Sequence, residues 1–489
     1  MSYKADSVLK NQIFNVSIQI LNILILLVSI PYITRLFGPT ILGKINFAGS
    51  IVQYFFLIAT VGIPIYATRE IARYRDDINL LRKKFKEITI LQIIFTLSST
   101  LLYLIIVFLY DDFRKDIYIY LFLGIQIISN FFNFDWFIQG LEKYRYTAIT
   151  NFISKLINLI LIFTLLKSRG DYNIYTFITG ITFVINNLIN LVIVTYLLKD
   201  FKNIKKINIE FKSLKLHVYS LSIFFISDIA TNIYTIMDQT MIGALDSSAA
   251  VSYYSMSVKL INIILRVITS IIVVMIPRIS NSINKNTVTE IKKYINISIK
   301  GVYLLSIPSI FGILAIGEEI VILFLGEEYI KSILAFKAIS ILLIIKSLSE
   351  ILSMQVMIPY GREKKFTLML IVASFINFVL NLILIPKCSY VGATISTLIT
   401  EVFITSWLYL EAKSIVGTLD AIFKIWKMLI PSIIFYLIIK VAIKPFIDSN
   451  ILIVTFSILI AIMIYVIGLI VLKDDFILYI IKKISKKIE

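Results

Sequence analysis

The sequence predicts an all-α membrane protein of about 14 transmembrane helices, arranged as two six-helix bundles in parallel repeat plus two C-terminal helices. Three observations carry this. The 489-residue chain is 58% hydrophobic and 16% charged, with a mean hydropathy of +0.90, whereas a soluble domain is about 45–50% apolar and about 25% charged. Apolar windows near the ~20 residues needed to cross hydrocarbon recur along the whole length. Segments about 220 residues apart resemble one another.

The first six windows are 12–36, 43–66, 88–110, 117–139, 147–167 and 174–197. Gly38-Pro39 separates the first two, and the basic run at 82–86 precedes the third. Asp111-Asp112, Gly140 and Lys167 close the next three, and a lysine-rich stretch follows the sixth. The second six are 216–242, 250–277, 300–318, 332–358, 367–385 and 392–411, bounded by Asp246, Pro277, Gly317, Gly361 and Pro386. Two more, 427–446 and 450–472, lie outside the repeat. The expected organisation is therefore an N-terminal bundle over 1–215, a second over 216–416, and two added helices with a basic tail over 417–489. The start runs into the first window with no A-x-A pattern, so an uncleaved first helix is expected.

The repeat is local but ordered. Asn158-Leu-Ile-Leu-Ile162 recurs as Asn381-Leu-Ile-Leu-Ile385, and Gln139-Gly-Leu-Glu-Lys recurs as Tyr360-Gly-Arg-Glu-Lys. Both pairs occupy the same place in the two sets of six. Six helices per repeat give both bundles the same sense across the membrane, as in transporters that rock around a central site.

Basic residues orient the chain. With the N-terminus inside, 33 of the 48 Lys and Arg fall on inner segments, 10 on outer loops and their flanks, and 5 within spans. The positive-inside rule places both termini in the cytoplasm. The net charge of +18 is thus a topological signal that touches membrane lipids, and no soluble basic domain exists to bind nucleic acid. One cysteine, Cys388, and one histidine, His217, exclude an intramolecular disulfide and a Cys/His metal centre. Walker A, G-x-G-x-x-G, H-E-x-x-H and G-x-S-x-G patterns are absent, so no enzyme activity and no cofactor are expected. Uphill transport would draw on an H+ or Na+ gradient or on the substrate's own.

Polar groups inside the spans mark a hydrated interior. A charge at mid-helix costs roughly 2.5–3.5 kcal/mol, so Lys155, Lys259, Arg266, Lys337 and Lys346 are expected to face a cavity or a partner. Ser255, Lys259, Asn262 and Arg266 share one helical face. Asp228, Thr231, Asn232, Thr235, Asp238 and Gln239 form a second stripe, and Lys259 or Arg266 could instead pair with Asp228 or Asp238. Asn151, Ser154, Lys155 and Asn158 form a third, and Asn15, Gln19, Asn22 and Ser29 a fourth. Snorkelling competes with a cavity role for Lys155 and Lys337. Lys346 is expected to pair with Glu350 four residues on, and Glu401 to be an ion site or to pack against a polar partner. His217 is expected at the membrane interface and Cys388 in a loop.

The residues also resemble a known family. Pro31-Tyr-Ile-Thr-Arg35-Leu-Phe-Gly38, Ala67-Thr-Arg69-Glu70-Ile-Ala-Arg73 and Phe134-Asp135-Trp136-Phe-Ile-Gln139-Gly140 come first. Tyr234-Thr-Ile-Met-Asp238-Gln, Ile276-Pro277-Arg278-Ile-Ser280, Asn381-Leu-Ile-Leu-Ile-Pro386 and Gly392-Ala393 follow in order. Together they make the chain similar to Wzx-type oligosaccharide repeat-unit flippases, which share a superfamily with multidrug antiporters and lipid II flippases. Leu42-Gly43 and Ser252-Tyr253-Tyr254 depart from the Tyr-Gly and Gly-Tyr-Tyr usual there.

The resemblance implies a bacterial cell-membrane transporter with a cationic cavity, here Arg35, Lys155, Lys259, Arg266 and Lys337. Asn15, Gln19, Asn22, Asn151 and Asn262 would line it. Asp135, Trp136, Gln139, Asp228, Asp238, Lys346, Glu350 and Glu401 would serve gating, coupling or pairing. The implied substrate is an undecaprenyl-diphosphate-linked oligosaccharide for capsule, teichoic acid or an O-antigen-like polymer. Polysaccharide polymerase and glycosyltransferases are the implied partners. Rival readings are a cation-coupled drug exporter, favoured by twelve helices and an acidic cavity, and a lipid II flippase. A membrane glycosyltransferase or polymerase would need a sizeable outer loop, which the sequence lacks.

Overall fold

The computed structural model describes residues 8–198, 211–284, 287–422 and 425–474. All regular structure among the described residues is helical. Among the described residues nine helices are long and apolar enough to cross a membrane, and a pair bent by 46°, Glu327–Ile339 with Leu342–Met357, makes ten. Two of the nine, Leu21–Tyr74 and Glu363–Val416, are 54 residues long and break at Gly38 and Ser389, which leaves length for two passes each, and Val288–Leu325 kinks at Ile316 within one pass. The apolar helix at 117–132 and the helix Phe211–Leu245 complete the expected fourteen.

The two breaks have different local causes. In α1 (Val8–Thr60) Gly38 adopts φ 69°, ψ 177°. Glycine tolerates that positive φ, the residue before a proline favours extended ψ, and Pro39 then starts the second half as a preorganised first helical residue. In α14 (Glu363–Val416) the break is at Ser389, φ 56° and ψ −143°. Its hydroxyl donates to Asp246. A Cβ on Gly392 would sit 2.3 Å from the Leu384 carbonyl oxygen, so only glycine lets the second half of α14 fold back this closely.

By internal contacts the chain divides into Met1–Gly243 and Ala244–Glu489. In the first unit, α2 (Ile63–Tyr74) is amphipathic and too short to span: Ile63, Tyr66, Ala67 and Ile71 are buried. It then leads to α3 (Ile78–Leu109), whose N-cap Asp77 accepts from the amides of Asn79 and Leu80. The short α4 (Asp111–Lys115) turns the chain into α5 (Ile117–Ser129). The expected continuous helix over 117–139 is broken by a 3-10 turn, Asn130–Phe132, before α6 (Asp135–Gly140). Then come α7 (Tyr144–Leu165) and α8 (Tyr172–Leu197), preceded by a capping box in which Ser168 and Asp171 satisfy each other's backbone amides. α9 (Phe211–Leu245) ends the unit; the sequence-based boundary at 215/216 lies near the start of this helix.

The second unit runs through α10 (Ser248–Asn284), α11 (Val288–Leu325), α12 (Ile333–Ile339), α13 (Leu342–Leu352), a π-helical turn at Ser353–Met357, and α14. Counted in the two sets of six spans, the broken element is fourth in each: α5 with α6 in the first, α12 with α13 in the second. Two added helices, α15 (Trp426–Ile438) and α16 (Asn450–Val471), pack on α11. Outward apolar rows such as Leu97, Leu101 and Ile105 on α3 suit lipid contact.

One ion pair ties the added helices down. Lys444 Nζ lies 2.7 Å from Glu319 Oε1 and 3.2 Å from the Ala315 carbonyl oxygen, and the Glu319 side chain is 7% exposed. Lys444→Ala would strand that carboxylate. It should cost about 3–5 kcal/mol of stability, with the double change Lys444→Met, Glu319→Leu recovering most of it, as read by thermal unfolding in nanodiscs.

Candidate functional site

In the second unit, α10 carries the cationic positions. Lys259 and Arg266 are both exposed, Asn262 between them is half-buried, and Ser255 is buried at the top of the same face. The remainder of α10 is apolar enough to span. Its other faces pack on α11, α12, α13 and α14, fixed by Tyr254 to Thr397 (2.9 Å), Ser252 to Tyr329 (2.9 Å), and Gln355, which donates to the Ile272 carbonyl (3.1 Å). The buried face thus fixes the direction in which the two bases point.

Beside it lies a groove of about 520 Å³ lined almost wholly by apolar side chains. Ile264 of α10 lies at it, on the side of the helix away from Lys259 and Arg266; α11 contributes Leu304, Pro308 and Gly312, and α15 and α16 contribute Phe435 and Ile462. A Cβ on Gly312 would meet nothing within 4 Å, so the groove is open over that glycine.

Other expected residues take different roles. Lys346 Nζ is 3.7 Å from Glu401 Oε1, joining α13 to α14, and the expected ion pair with Glu350 is not formed. The carboxylate four residues along the same helix loses to one across the interface because Glu401 is almost fully enclosed, 4% exposed, and has more need of a cation. The Lys337 stem packs 3.2 Å from where a Cβ on Gly317 would be, and the residue is half-buried. Cys388 is exposed.

In the first unit the polar stripes become hydrogen-bonded chains. Asn151 donates to the Thr147 carbonyl (2.8 Å) and accepts from Asn186 (2.9 Å). Asn190 donates to Asp135 (2.8 Å) and to Asn186 (3.3 Å). Asp135 is thereby fastened to α8. Trp136 Nε1 donates to Gln92 (2.8 Å), whose amide nitrogen donates to the Asn130 and Asn133 carbonyls (2.5 and 3.0 Å). Gln92 thus closes the broken helix between α5 and α6. Gln92→Leu would leave the indole N–H unpaired and remove the bonds to the Asn130 and Asn133 carbonyls, of which the first keeps its bond from the Asn133 amide; it should destabilise the unit by about 1–3 kcal/mol, measured by thermal unfolding in nanodiscs.

Arg35 is exposed, and Lys155 and Gln139 are half-buried. Asn22 is half-buried with an enclosed Oδ1. Asp228 accepts from Asn232 (2.7 Å), and Asp238 is 3% exposed. The side chains of Asn15 and Gln19 lie outside the described residues. His217 is buried, 2% exposed, and held by Glu87 and Tyr66. A single histidine preceding an apolar run gives no sign of this, because its acidic partner sits in the basic run before the third window. Gln92, Asn186 and Asn190 were likewise not singled out, although Asn186 and Asn190, four apart, are a visible polar pair.

The model of the family described as polysaccharide biosynthesis protein matches residues 8–283, more than half the chain. The MatE family model matches residues 224–383. A curated Escherichia coli K12 protein, named as a candidate O-antigen transporter, is 24% identical over 418 residues, covering 83% of this chain and 97% of that protein. A Shigella dysenteriae protein of the same name is 24% identical over 406 residues, covering 80% and 96%. The fold is similar to that of the lipid II flippase MurJ in its inward closed conformation, with a TM-score of 0.68 at 17% identity over 94% of this chain and 98% of that one. It is also similar to an inward-facing multidrug resistance MATE family transporter, with a TM-score of 0.63 at 12% identity over 84% and 99%.

Proposed function

Because the chain belongs to the polysaccharide biosynthesis protein family, we propose that it is a flippase turning an undecaprenyl-diphosphate-linked oligosaccharide from the inner to the outer leaflet by alternating access. The observation that carries this reading is the placement of Lys259 and Arg266 on one face of an apolar helix whose other side borders an apolar groove. A polyprenyl diphosphate sugar has the matching parts. Its diphosphate cannot cross hydrocarbon bare; arginine offers it a bidentate fork and lysine a compact point charge. Its tail is hydrocarbon, and the groove removes such a chain from competing contacts. The O-antigen description of the E. coli and Shigella relatives supports a repeat-unit cargo. Capsule and teichoic-acid units share the same polyprenyl diphosphate and fit equally.

The setting is a bacterial cell membrane with both termini cytoplasmic. Glycosyltransferases would supply the lipid-linked sugar, and a polymerase would consume it on the outer face. No step of this process makes or breaks a covalent bond, consistent with a transporter and not an enzyme. Depleting the protein should make lipid-linked oligosaccharide accumulate on the inner leaflet while surface polymer declines. Unchanged lipid-linked pools with normal surface polymer would overturn the reading.

A further inference from the structure

We propose that Glu87, His217 and Tyr66 form a proton-binding site that couples transport to a proton gradient, an inference that rests on the transporter reading above. α9 brings His217 and Ser213 against α3 and α2. Glu87 is 0% exposed. His217 Nε2 lies 2.8 Å from Glu87 Oε2, and Nδ1 lies 2.5 Å from the Tyr66 hydroxyl. Ser213 donates to Glu87 Oε1 at 2.6 Å. From α3, Lys84 Nζ is 3.1 Å from both Glu87 Oε2 and His217 Nε2, and Lys83 Nζ is 4.0 Å from Glu87 Oε1. From α2, Glu70 acts on Tyr66, which also bonds to Ser220 of α9. Ile71, Leu81, Ile88, Val194, Leu197 and Leu221 make the surroundings apolar.

Lys84 Nζ, His217 Nε2 and Glu87 Oε2 cannot all be satisfied in one protonation state. With a proton on Nε2, the ring donates to Glu87 but turns a second donor on the Lys84 ammonium. With Nε2 bare, the ring accepts from Lys84 but sets a lone pair against the carboxylate. A further proton on the ring makes both nitrogens donors, one to Glu87 and one to the Tyr66 oxygen, while the Tyr66 O–H turns toward Ser220. Two cations would then stand 3.1 Å apart. Lys84, 18% exposed, is the one with a path to water. Proton uptake therefore replaces Lys84 by imidazolium as the partner of Glu87, and proton loss restores Lys84. The helix that carries His217 is also the one by which the chain leaves the first compact unit, so the exchange acts on the helix that joins the two units in sequence.

His217 is the single histidine of the chain, so protein labelled with 15N in the imidazole and held in nanodiscs gives one set of ring signals. These should change with pH as the ring takes up and releases its proton. The ring should hold its proton roughly tenfold more tightly in Lys84→Gln and roughly tenfold more weakly in Glu87→Gln. Amide exchange over 213–222, corrected for the intrinsic rate, should follow the same titration and lose it in His217→Gln. In vesicles that flip the lipid, a pH gradient should accelerate the wild type and not His217→Gln. Flat ring signals, equal proton affinity in the three proteins, or unchanged pH dependence in His217→Gln would overturn the site. A normal titration in vesicles that flip nothing would overturn the transport reading instead, so the two failures are distinct.

Discussion

Cells carrying Lys259→Ala together with Arg266→Ala should lose at least about a hundredfold in transport while the protein inserts normally. Hydrogen bonds to charged groups are worth roughly 1.5–3 kcal/mol each, and losing two corresponds to about two orders of magnitude or more. Both side chains are surface-accessible on α10, so truncation opens no enclosed cavity. Taking charge out of an apolar helix also favours insertion. A fall in activity is therefore not explained by misfolding. Surface polymer and membrane abundance, measured in the same cells, separate the two. Arg266→Lys should retain partial activity, since charge survives while the bidentate fork is lost. Wild-type transport in the double alanine variant would return both residues to a structural role.

Gly312→Phe should reduce transport more than tenfold by filling the groove with an aromatic ring. An added Cβ at Gly312 touches nothing within 4 Å, and Gly312 lines the groove with Leu304, Pro308 and Ile462. The substituted helix gains propensity and its new Cβ meets nothing, so thermal stability should hold. If the polyprenyl tail lies there, occupancy by Phe competes with it directly. Binding of a fluorescent polyprenyl diphosphate to purified protein checks this. Unchanged binding by Gly312→Phe would remove the groove from the account.

Much of the fold was legible because hydrocarbon thickness imposes a length on every pass, and apolar windows report that length. The fourteen windows correspond to the described helices, including the two breaks, since Gly38-Pro39 and the stretch from Pro386 to Gly392 carry their own turn chemistry. The broken element at 117–140 was not legible, because its apolar run is continuous; the interruption is held by Gln92, a residue from another helix. Faces of a single helix were legible, as with Lys259 and Arg266. Partners across helices were not. Lys346 takes Glu401 and not Glu350, and His217 takes Glu87, 130 residues away. Sequence spacing reports neighbours one helical turn away, whereas the strongest buried pairs form between helices whose packing it does not encode locally.

The most direct test is sidedness of the lipid. Vesicles containing the protein and a fluorescent undecaprenyl-diphosphate oligosaccharide, treated with a membrane-impermeant quencher, report the fraction exposed outside. With the protein present, that fraction should rise from the outer-leaflet share to nearly the whole, and remain at the outer-leaflet share with Lys259→Ala, Arg266→Ala. A fraction fixed at the outer-leaflet share with folded wild-type protein would contradict the account.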